Sequence, residues 1–200
     1  MHNPLALPNE PKIEPLARGG CKMITNASPA ESVQRLTWSA IQQVCSADLQ
    51  EHFAGAQGFG LECPLGVFEQ LFHDHHDDPE LAAVLRFVDW SAVRWEEGDL
   101  SGVALRRLGI PRPFQHAVDE ARFRTAEQGF EDERPEVMWH WSEARTWIRS
   151  PIVLAGDVLQ SGLDELIVGF TRVGNLLGAL DRQEFPESNR HRVWIGGRAR

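Results

Sequence analysis

The sequence has almost no lysine, and arginine carries nearly all of its positive charge. Lys12 and Lys22 are the only lysines among 20 basic residues, and the formal net charge is −9. Non-specific binding to nucleic acid or to an anionic membrane needs a basic surface, so the composition argues against both. Arginine suits bidentate contacts to phosphate or carboxylate groups. The same bias is typical of a GC-rich genome, and we favour that explanation.

Cysteine is also scarce. Cys21, Cys45 and Cys63 are scattered, odd in number and form no C-x-x-C pair. This pattern argues against a disulfide framework or a zinc ribbon and fits a reducing compartment. No apolar run is long enough to span a bilayer, and prolines interrupt the N-terminal segment where a signal peptide would have an apolar core. We therefore expect a cytoplasmic protein that does not bind membranes.

Three regions of different character follow one another along the 200 residues. Residues 1–27 contain four prolines and a Gly-Gly pair without periodicity, which is typical of a flexible arm. Residues 28–87 are predicted to be helical, beginning at the Ser-Pro-Ala-Glu start signal, with a flexible glycine-rich loop over 54–64. Residues 88–200 mix strand and helix patterns, which predicts an α+β domain.

The strands and helices of the third region can be read from its apolar runs. Strand-like runs are VDWSAVRWEEGDL, IVLAG, LDELIVGF and HRVWIG. Helix-like runs are SGVALRRLG, PFQHAVDEARFRTAEQG and TRVGNLLGAL, and the stretch PEVMWHWSEARTWI is rich in aromatic residues. The fold that we predict is a small mixed sheet with the helices covering one face.

The most informative stretch is ELIVGFTRVGNLLGAL, residues 165–180, where a strand passes directly into a helix. The first N–H groups of such a helix are unpaired and favour an anion. Gly169 permits close approach, Thr171 can cap the helix or donate to an oxygen, and Arg172 can bind a phosphate. The alternative is an ordinary connection in which Thr171 is the N-cap and Arg172 pairs with an acidic residue. Local chemistry alone favours the alternative.

The order of elements around this turn favours a functional site. The stretch from Ser150 to Leu180, followed by HRVWIG, resembles the core of the ParB/sulfiredoxin-like superfamily, whose second strand ends in a Gly-x-x-Arg turn. Gly169 and Arg172 match that turn, whereas Phe170 and Thr171 match neither common version of it. Sulfiredoxin chemistry is not expected, because the turn has no cysteine. The resemblance implies binding of nucleotide phosphates, with nucleotide hydrolysis or phosphoryl transfer as further activities.

If the resemblance holds, other polar groups should converge on the turn. Asp157 follows the neighbouring strand and is a candidate to hold a metal or orient a hydroxyl group. Asn175 lies one helical turn after Thr171 and is a candidate ligand contact. Each has a simpler interpretation, since aspartate is a common turn residue and Asn175 can be merely solvated.

The stretch FHDHHDDPE, residues 72–80, is a second candidate site. His73 and Asp77 are four residues apart, a spacing that can place two metal ligands on one helix face. We favour a structural interpretation, because histidine near a helix C-terminus and aspartate before a helix N-terminus are stabilised by the helix dipoles alone. No metal site is therefore predicted.

The tryptophan-rich stretch MWHWSEARTW, residues 138–147, has two interpretations. Trp139 and Trp147 can form a platform for a nucleic-acid base or belong to the core or an interface, and we favour the second. His140 is a candidate general base, and Cys45 and Cys63 are candidate nucleophiles, but no catalytic residue is assigned. Gly-x-Ser-x-Gly, Walker and Rossmann fingerprints are absent from the sequence.

The sequence therefore predicts a phosphate- or nucleotide-binding α+β protein, with a nucleotide and Mg²⁺ as candidate ligands. Its binding residues would be Gly169, Thr171, Arg172, Asn175 and Asp157. The alternative is a non-catalytic protein-interaction module, an accessory or immunity-like protein on a degenerate fold of the same type. A cleft filled by Phe170 or Trp194 would favour that alternative.

Overall fold

A four-stranded mixed sheet organises the protein. The computed structural model describes residues 35–159 and 161–198. The strands are β1 (Val93–Ser101), β2 (Ile152–Leu154), β3 (Glu165–Val168) and β4 (Arg190–Arg198), in the spatial order β1-β4-β2-β3. Strand β4 pairs antiparallel with β1 and parallel with β2, and β2 pairs antiparallel with β3. The predicted α+β class with a small mixed sheet is thus confirmed.

Helices precede the sheet and connect its strands. Before β1 lie α1 (Trp38–Gln42), α2 (Leu49–Gly58), α3 (Leu65–Phe68), a π-helical turn (Glu69–His73) that continues α3, and α4 (Pro79–Leu85). Between β1 and β2 lie α5 (Gly102–Leu105), α6 (Gln115–Gln128) and α7 (Pro135–Ala144). Helix α8 (Gly156–Leu159) leads from β2 to β3, and α9 (Phe170–Asp181) leads from β3 to β4. Within the described ranges, no helix is long and apolar enough to cross a bilayer.

Two predictions about the N-terminal half have different outcomes. The arm over residues 1–27 and the helix start at Ser28 lie outside the described residues. The predicted glycine-rich loop is wrong over 54–58, because these residues complete α2. Asp48 begins this helix by accepting a hydrogen bond from the Glu51 N–H at 2.9 Å. A Cβ at Gly55 would lie 3.1 Å from the Val44 side chain, so the glycine allows α2 to pack closely against Val44.

Helices cover both faces of the sheet, not one as predicted. Ile152 and Leu154 of β2 belong to the core that includes α1 to α4, whereas Val153 belongs to the core formed with α6 and α9. Successive side chains of a strand point to opposite faces, so the two cores lie on opposite sides of the sheet. The alternation is invisible in the all-apolar run IVL, because a strand buried on both faces shows no polar positions.

Candidate functional site

The turn between β3 and α9 depends on a glycine. Gly169 has φ = +94°, in the left-handed region that side chains rarely adopt, and it is the N-cap of α9. A Cβ at this position would lie 2.9 Å from the Pro151 side chain and 3.0 Å from Nη2 of Arg172. The glycine therefore lets the Arg172 guanidinium fold back against the turn. Thr171 is not the N-cap, since α9 begins one residue earlier.

We expect Gly169→Ala to destabilise the protein more than Gly162→Ala does. Both glycines have positive φ, but a Cβ at Gly162 would meet no atom of the described residues within 4 Å. The left-handed conformation costs an alanine about 1–2 kcal/mol at either position. Overpacking against Pro151 and Arg172 should add about 1–3 kcal/mol at Gly169 alone. Urea unfolding of both variants measures the difference. If the two variants lose the same free energy of unfolding, the contacts of position 169 with Pro151 and Arg172 do not affect stability.

Arg172 is a largely buried cation to which the described residues offer no carboxylate partner. Its Nη1 donates to Oε1 of Gln70 at 2.9 Å and to the Arg149 carbonyl at 2.6 Å. Within the described residues, no carboxylate oxygen lies within 4.0 Å of its guanidinium. Burial, followed by repulsion from Arg149, lowers the pKa of Arg172 to about 10, so the side chain remains charged at neutral pH. A charge enclosed in this way favours an anionic ligand.

The first turn of α9 adds unpaired donors beside this cation. The Val173 N–H donates to the Gly169 carbonyl at 2.9 Å. In the described part of the chain, it is the first N–H group of α9 that has a backbone acceptor. The N–H groups of Phe170, Thr171 and Arg172 precede it, and no side chain from residues 35–159 or 161–198 caps the helix. These donors and the positive end of the helix dipole both favour an anion.

A cavity of about 490 Å³ opens beside the turn, and Thr171, Arg172 and Asn175 line it. One wall is aromatic, because Trp141 stacks on Phe130 with ring centroids 4.2 Å apart and Trp147 lies nearby. Trp147 is buried, in agreement with the core interpretation, and Trp141 is buried as well, whereas Trp139 is 67% exposed and does not belong to the core. Phe170 does not fill the cavity. Its ring stacks on Phe114, and Phe170 is not one of the residues that line the cavity.

The charges around the cavity are arranged unequally. Asp132 binds Arg134 through two hydrogen bonds of 2.8 Å, and these bonds lower the pKa of Asp132. Arg149 lies 3.4 Å from both Glu69 and Asp74, so two carboxylates compensate its charge. Arg134 and Arg149 therefore both have carboxylate partners, whereas Arg172 has no ion pair within the described residues and only a longer-range attraction to Asp74. An anion in the cavity would meet Arg172 as the least compensated of the three cations.

Asn175 is neither solvated nor free. It is 7% exposed, and its Oδ1 accepts a hydrogen bond from the Thr125 hydroxyl at 3.0 Å, which joins α9 to α6. Because the oxygen is occupied and the residue lines the cavity, its amide nitrogen is the group that would contact a ligand.

Asp157 lies away from the turn. Strands β2 and β3 are antiparallel, with Leu154 opposite Glu165 and Ile152 opposite Val168. Asp157 follows the end of β2 and so lies near the beginning of β3, whereas Gly169 follows the end of β3. The expected convergence of Asp157 with the other four residues is therefore not observed.

The histidine-rich stretch does not form a metal site in the described ranges, where no group of three or more His, Cys, Asp or Glu side chains could hold a metal ion. His73 instead contacts His52, and Asp77 contributes no ion pair among the described residues. Cys63 is a poor nucleophile, because burial raises the pKa of its thiol to about 12. Cys45 is exposed.

Comparisons of the chain with models of known protein families, with curated proteins and with solved structures found no match. The site must therefore be interpreted from its own geometry.

Two residues of the site were not predicted from the sequence. Gln70 is 102 positions from Arg172 and Arg149 is 23 positions from it, and both bind its guanidinium. Arg149 acts through its backbone carbonyl, which carries no side-chain signal. The sequence signal for Gln70 is its position among the apolar residues of VFEQLF. A polar side chain that is buried at such a position needs a hydrogen-bond partner.

Proposed function

We propose that the protein binds a phosphate-containing small molecule in the cavity beside α9, with a nucleotide as the candidate ligand. The observation that carries this proposal is the partly buried Arg172 guanidinium, which lines the cavity without a carboxylate partner in the described residues. Its Nε and Nη2 atoms lie over Gly169, and only Nη1 makes hydrogen bonds within the described part of the chain. A phosphate would supply the missing counter-charge and the missing acceptors.

The remaining walls suit the other parts of a nucleotide. The aromatic wall that includes Phe130 and Trp141 offers a surface for a base. Asp74 and Glu136 also line the cavity, and Mg²⁺ bound to a nucleotide takes one or two protein carboxylates together with phosphate oxygens. The ParB/sulfiredoxin-like resemblance supports the same ligand class, because that family binds nucleotide phosphates at a matching Gly-x-x-Arg turn. We assign no catalytic residue.

Thermal unfolding of the wild type and Arg172→Gln tests the proposal. The ligands are inorganic phosphate, pyrophosphate and a panel of nucleoside mono-, di- and triphosphates, each with and without Mg²⁺. A ligand that binds only the folded state at about 100 times its Kd stabilises the protein by about 2.7 kcal/mol, which raises the Tm by several degrees. We expect at least one nucleotide to raise the wild-type Tm and Arg172→Gln to lose that response.

Arg94→Gln is the matched control, because it removes the same charge from an exposed arginine on β1 outside the cavity. It should keep the wild-type response. If no phosphate-containing ligand stabilises the wild type, or if Arg172→Gln responds as the wild type does, the proposed function is wrong.

A non-catalytic interaction module remains the second candidate function. The observation that favours it is the exposure of large apolar side chains on two helices. Phe123 of α6 is 69% exposed and Trp139 of α7 is 67% exposed. Contiguous exposed apolar surface marks interaction sites, whereas single exposed residues are common on any protein. An absence of any ligand response in the unfolding experiment would favour this candidate.

A further inference from the structure

Thr146 lines the cavity from the segment that follows α7. Helix α7 ends at Ala144, and Arg145 then adopts φ = +52° and ψ = +38°, a left-handed conformation that usually takes glycine at this position of a helix. This turn ends the helix directly before Thr146. The next four residues, 146–149, all line the cavity. Thr146 is half-buried and is the hydroxyl-bearing residue of this segment.

A buried histidine holds the Thr146 side chain. His191 of β4 is 1% exposed, and its Nδ1 lies 3.1 Å from Oγ1 of Thr146. The rings of Trp147 and Phe185 pack against the imidazole, with centroids 5.5 and 5.8 Å away. Its Nε2 is buried and has no hydrogen-bond partner within the described residues, so the contact with Thr146 orients the ring. Burial lowers the pKa of His191, although Asp99 opposes this effect, and the imidazole is therefore neutral at pH 7.

The residue that follows Thr146 is anchored to the same strand. Nε1 of Trp147 donates to the Arg192 carbonyl at 2.7 Å, directly beside the contact between Thr146 and His191. Two consecutive residues of the cavity wall are thus bonded to two consecutive residues of β4. A group that is held on a strand in this way loses little freedom when a ligand binds.

The bond to His191 leaves the Thr146 hydroxyl able to accept from a ligand. A hydroxyl group has one proton and two acceptor lone pairs, and a nitrogen of a neutral imidazole either donates or accepts. If Nδ1 of His191 donates, Thr146 keeps its proton and one lone pair. If Nδ1 accepts, Thr146 keeps both lone pairs. A ligand hydroxyl can therefore donate to Thr146 in either tautomer, whereas a phosphate oxygen, which carries no proton, can pair with it in only one.

The position of Thr146 suits the sugar of a nucleotide. Within the described part of the chain, the cavity has two hydroxyl-bearing residues, and Thr171 lies beside Arg172 at the start of α9. Thr146 instead adjoins Trp147 of the aromatic wall. It is three positions before Arg149, whose carbonyl accepts from Arg172, so the chain separates these two residues by at most about 10 Å. In a nucleotide, the sugar likewise joins the base to the phosphate.

We propose that Thr146, held in place by His191, binds a ribose hydroxyl of the ligand, so that the cavity selects ribonucleotides over phosphates that have no sugar. Thr146 is then a specificity-determining residue, and His191 is a positioning residue that acts through it. This inference rests on the proposed function, because it requires the phosphate to lie at Arg172.

Calorimetric titration of the wild type tests the ligand group first. The ligands are the four ribonucleoside triphosphates, their 2′-deoxy and 3′-deoxy forms, and pyrophosphate, all with Mg²⁺. For the ribonucleotide that binds most tightly, removal of one of the two ribose hydroxyls should weaken binding about three- to tenfold, the factor that one hydrogen bond between neutral groups contributes. Equal affinity for all three forms of each nucleotide would overturn the proposal.

Thr146→Val removes the hydroxyl and keeps the shape of the side chain. This variant should bind the ribonucleotide about three- to tenfold more weakly and should no longer distinguish it from the deoxy form. Its affinity for pyrophosphate, the matched control ligand, should not change. Thr146→Ser restores the hydroxyl and should restore the discrimination. If Thr146→Val weakens pyrophosphate binding as much as ribonucleotide binding, the effect is a general one on the cavity and the proposal is wrong.

Two variants of His191 test its positioning role. His191→Asn keeps a hydrogen-bonding group near the position of Nδ1, whereas His191→Leu replaces the ring by an apolar side chain. The readout is the ratio of the affinities for the ribonucleotide and pyrophosphate, which a loss of stability alone does not change. We expect His191→Asn to keep this ratio and His191→Leu to lower it as Thr146→Val does. A wild-type ratio in His191→Leu would show that His191 does not position Thr146.

The same titrations separate this inference from the proposed function. If pyrophosphate and the nucleotides bind but removal of either ribose hydroxyl has no effect, the proposed function stands and the assignment of Thr146 is wrong. If neither pyrophosphate nor any nucleotide binds, the proposed function is wrong and the assignment falls with it. If Thr146→Val does not fold, the comparison of ribose and deoxyribose forms on the wild type decides.

Discussion

Gly178→Ala should lower the free energy of unfolding by about 3 kcal/mol, the upper end of the usual cost of overpacking. The added Cβ would lie 2.4 Å from the Arg122 carbonyl oxygen and 2.8 Å from the Thr125 Cβ. Both atoms belong to the backbone or the base of a side chain on α6, so no rotamer change can relieve the clash. The helices α6 and α9 would have to separate.

Gly58→Ala is the matched control, because Gly58 also lies in a helix and a Cβ there would meet no atom within 4 Å in the part of the chain that the structure describes. We expect this variant to be neutral or slightly stabilising, by at most about 1 kcal/mol, since alanine is the better helix former. Chemical denaturation of both variants measures the difference. A Gly178→Ala protein as stable as Gly58→Ala would mean that α6 and α9 are not closely packed.

The close approach of these helices also bears on the candidate site. Gly174 repeats the contact one turn earlier, where a Cβ would lie 2.5 Å from the Val118 carbonyl oxygen. Asn175, the next residue, binds Thr125 across the same interface. The position of the α9 N-terminus is therefore fixed by helix packing as well as by the turn at Gly169. A Gly178→Ala variant that still folds should bind any cavity ligand more weakly.

The sequence predicts the elements around the turn because their signals are local. The short apolar run of β3, the glycine at 169 and the apolar face of α9 are each visible within a few positions. The loop predicted at 54–64 fails over 54–58 because glycine normally disfavours a helix, and the close contact with Val44 that offsets this cost is a tertiary effect.

The partners of Arg172 could not be predicted, because they come from distant parts of the chain. Gln70 reaches it from a π-helical turn, and no local pattern distinguishes such a turn from an ordinary helix. The placement of Asp157 depends on whether β2 and β3 run parallel or antiparallel. Had they been parallel, both strand ends would meet at one edge, and the expected convergence would have followed.

Replacing both Arg149 and Arg172 by glutamine should weaken binding of the cavity ligand by at least about 100-fold. A hydrogen bond to a charged group contributes about 1.5–3 kcal/mol, so each arginine that contacts a phosphate accounts for at least about tenfold in affinity. Calorimetric titration of the wild type, the two single variants and the double variant with pyrophosphate, and with the best nucleotide from the unfolding screen, measures the losses.

Each single variant should lose about half of the binding free energy that the double variant loses, because the Arg149 carbonyl that accepts from Arg172 belongs to the backbone and is kept in Arg149→Gln. The double variant Arg94→Gln, Arg192→Gln is the matched control, because it removes the same charge from arginines of β1 and β4 that do not line the cavity. If that control loses as much affinity as the cavity pair, the effect is one of net charge and the anion site does not lie at Arg172.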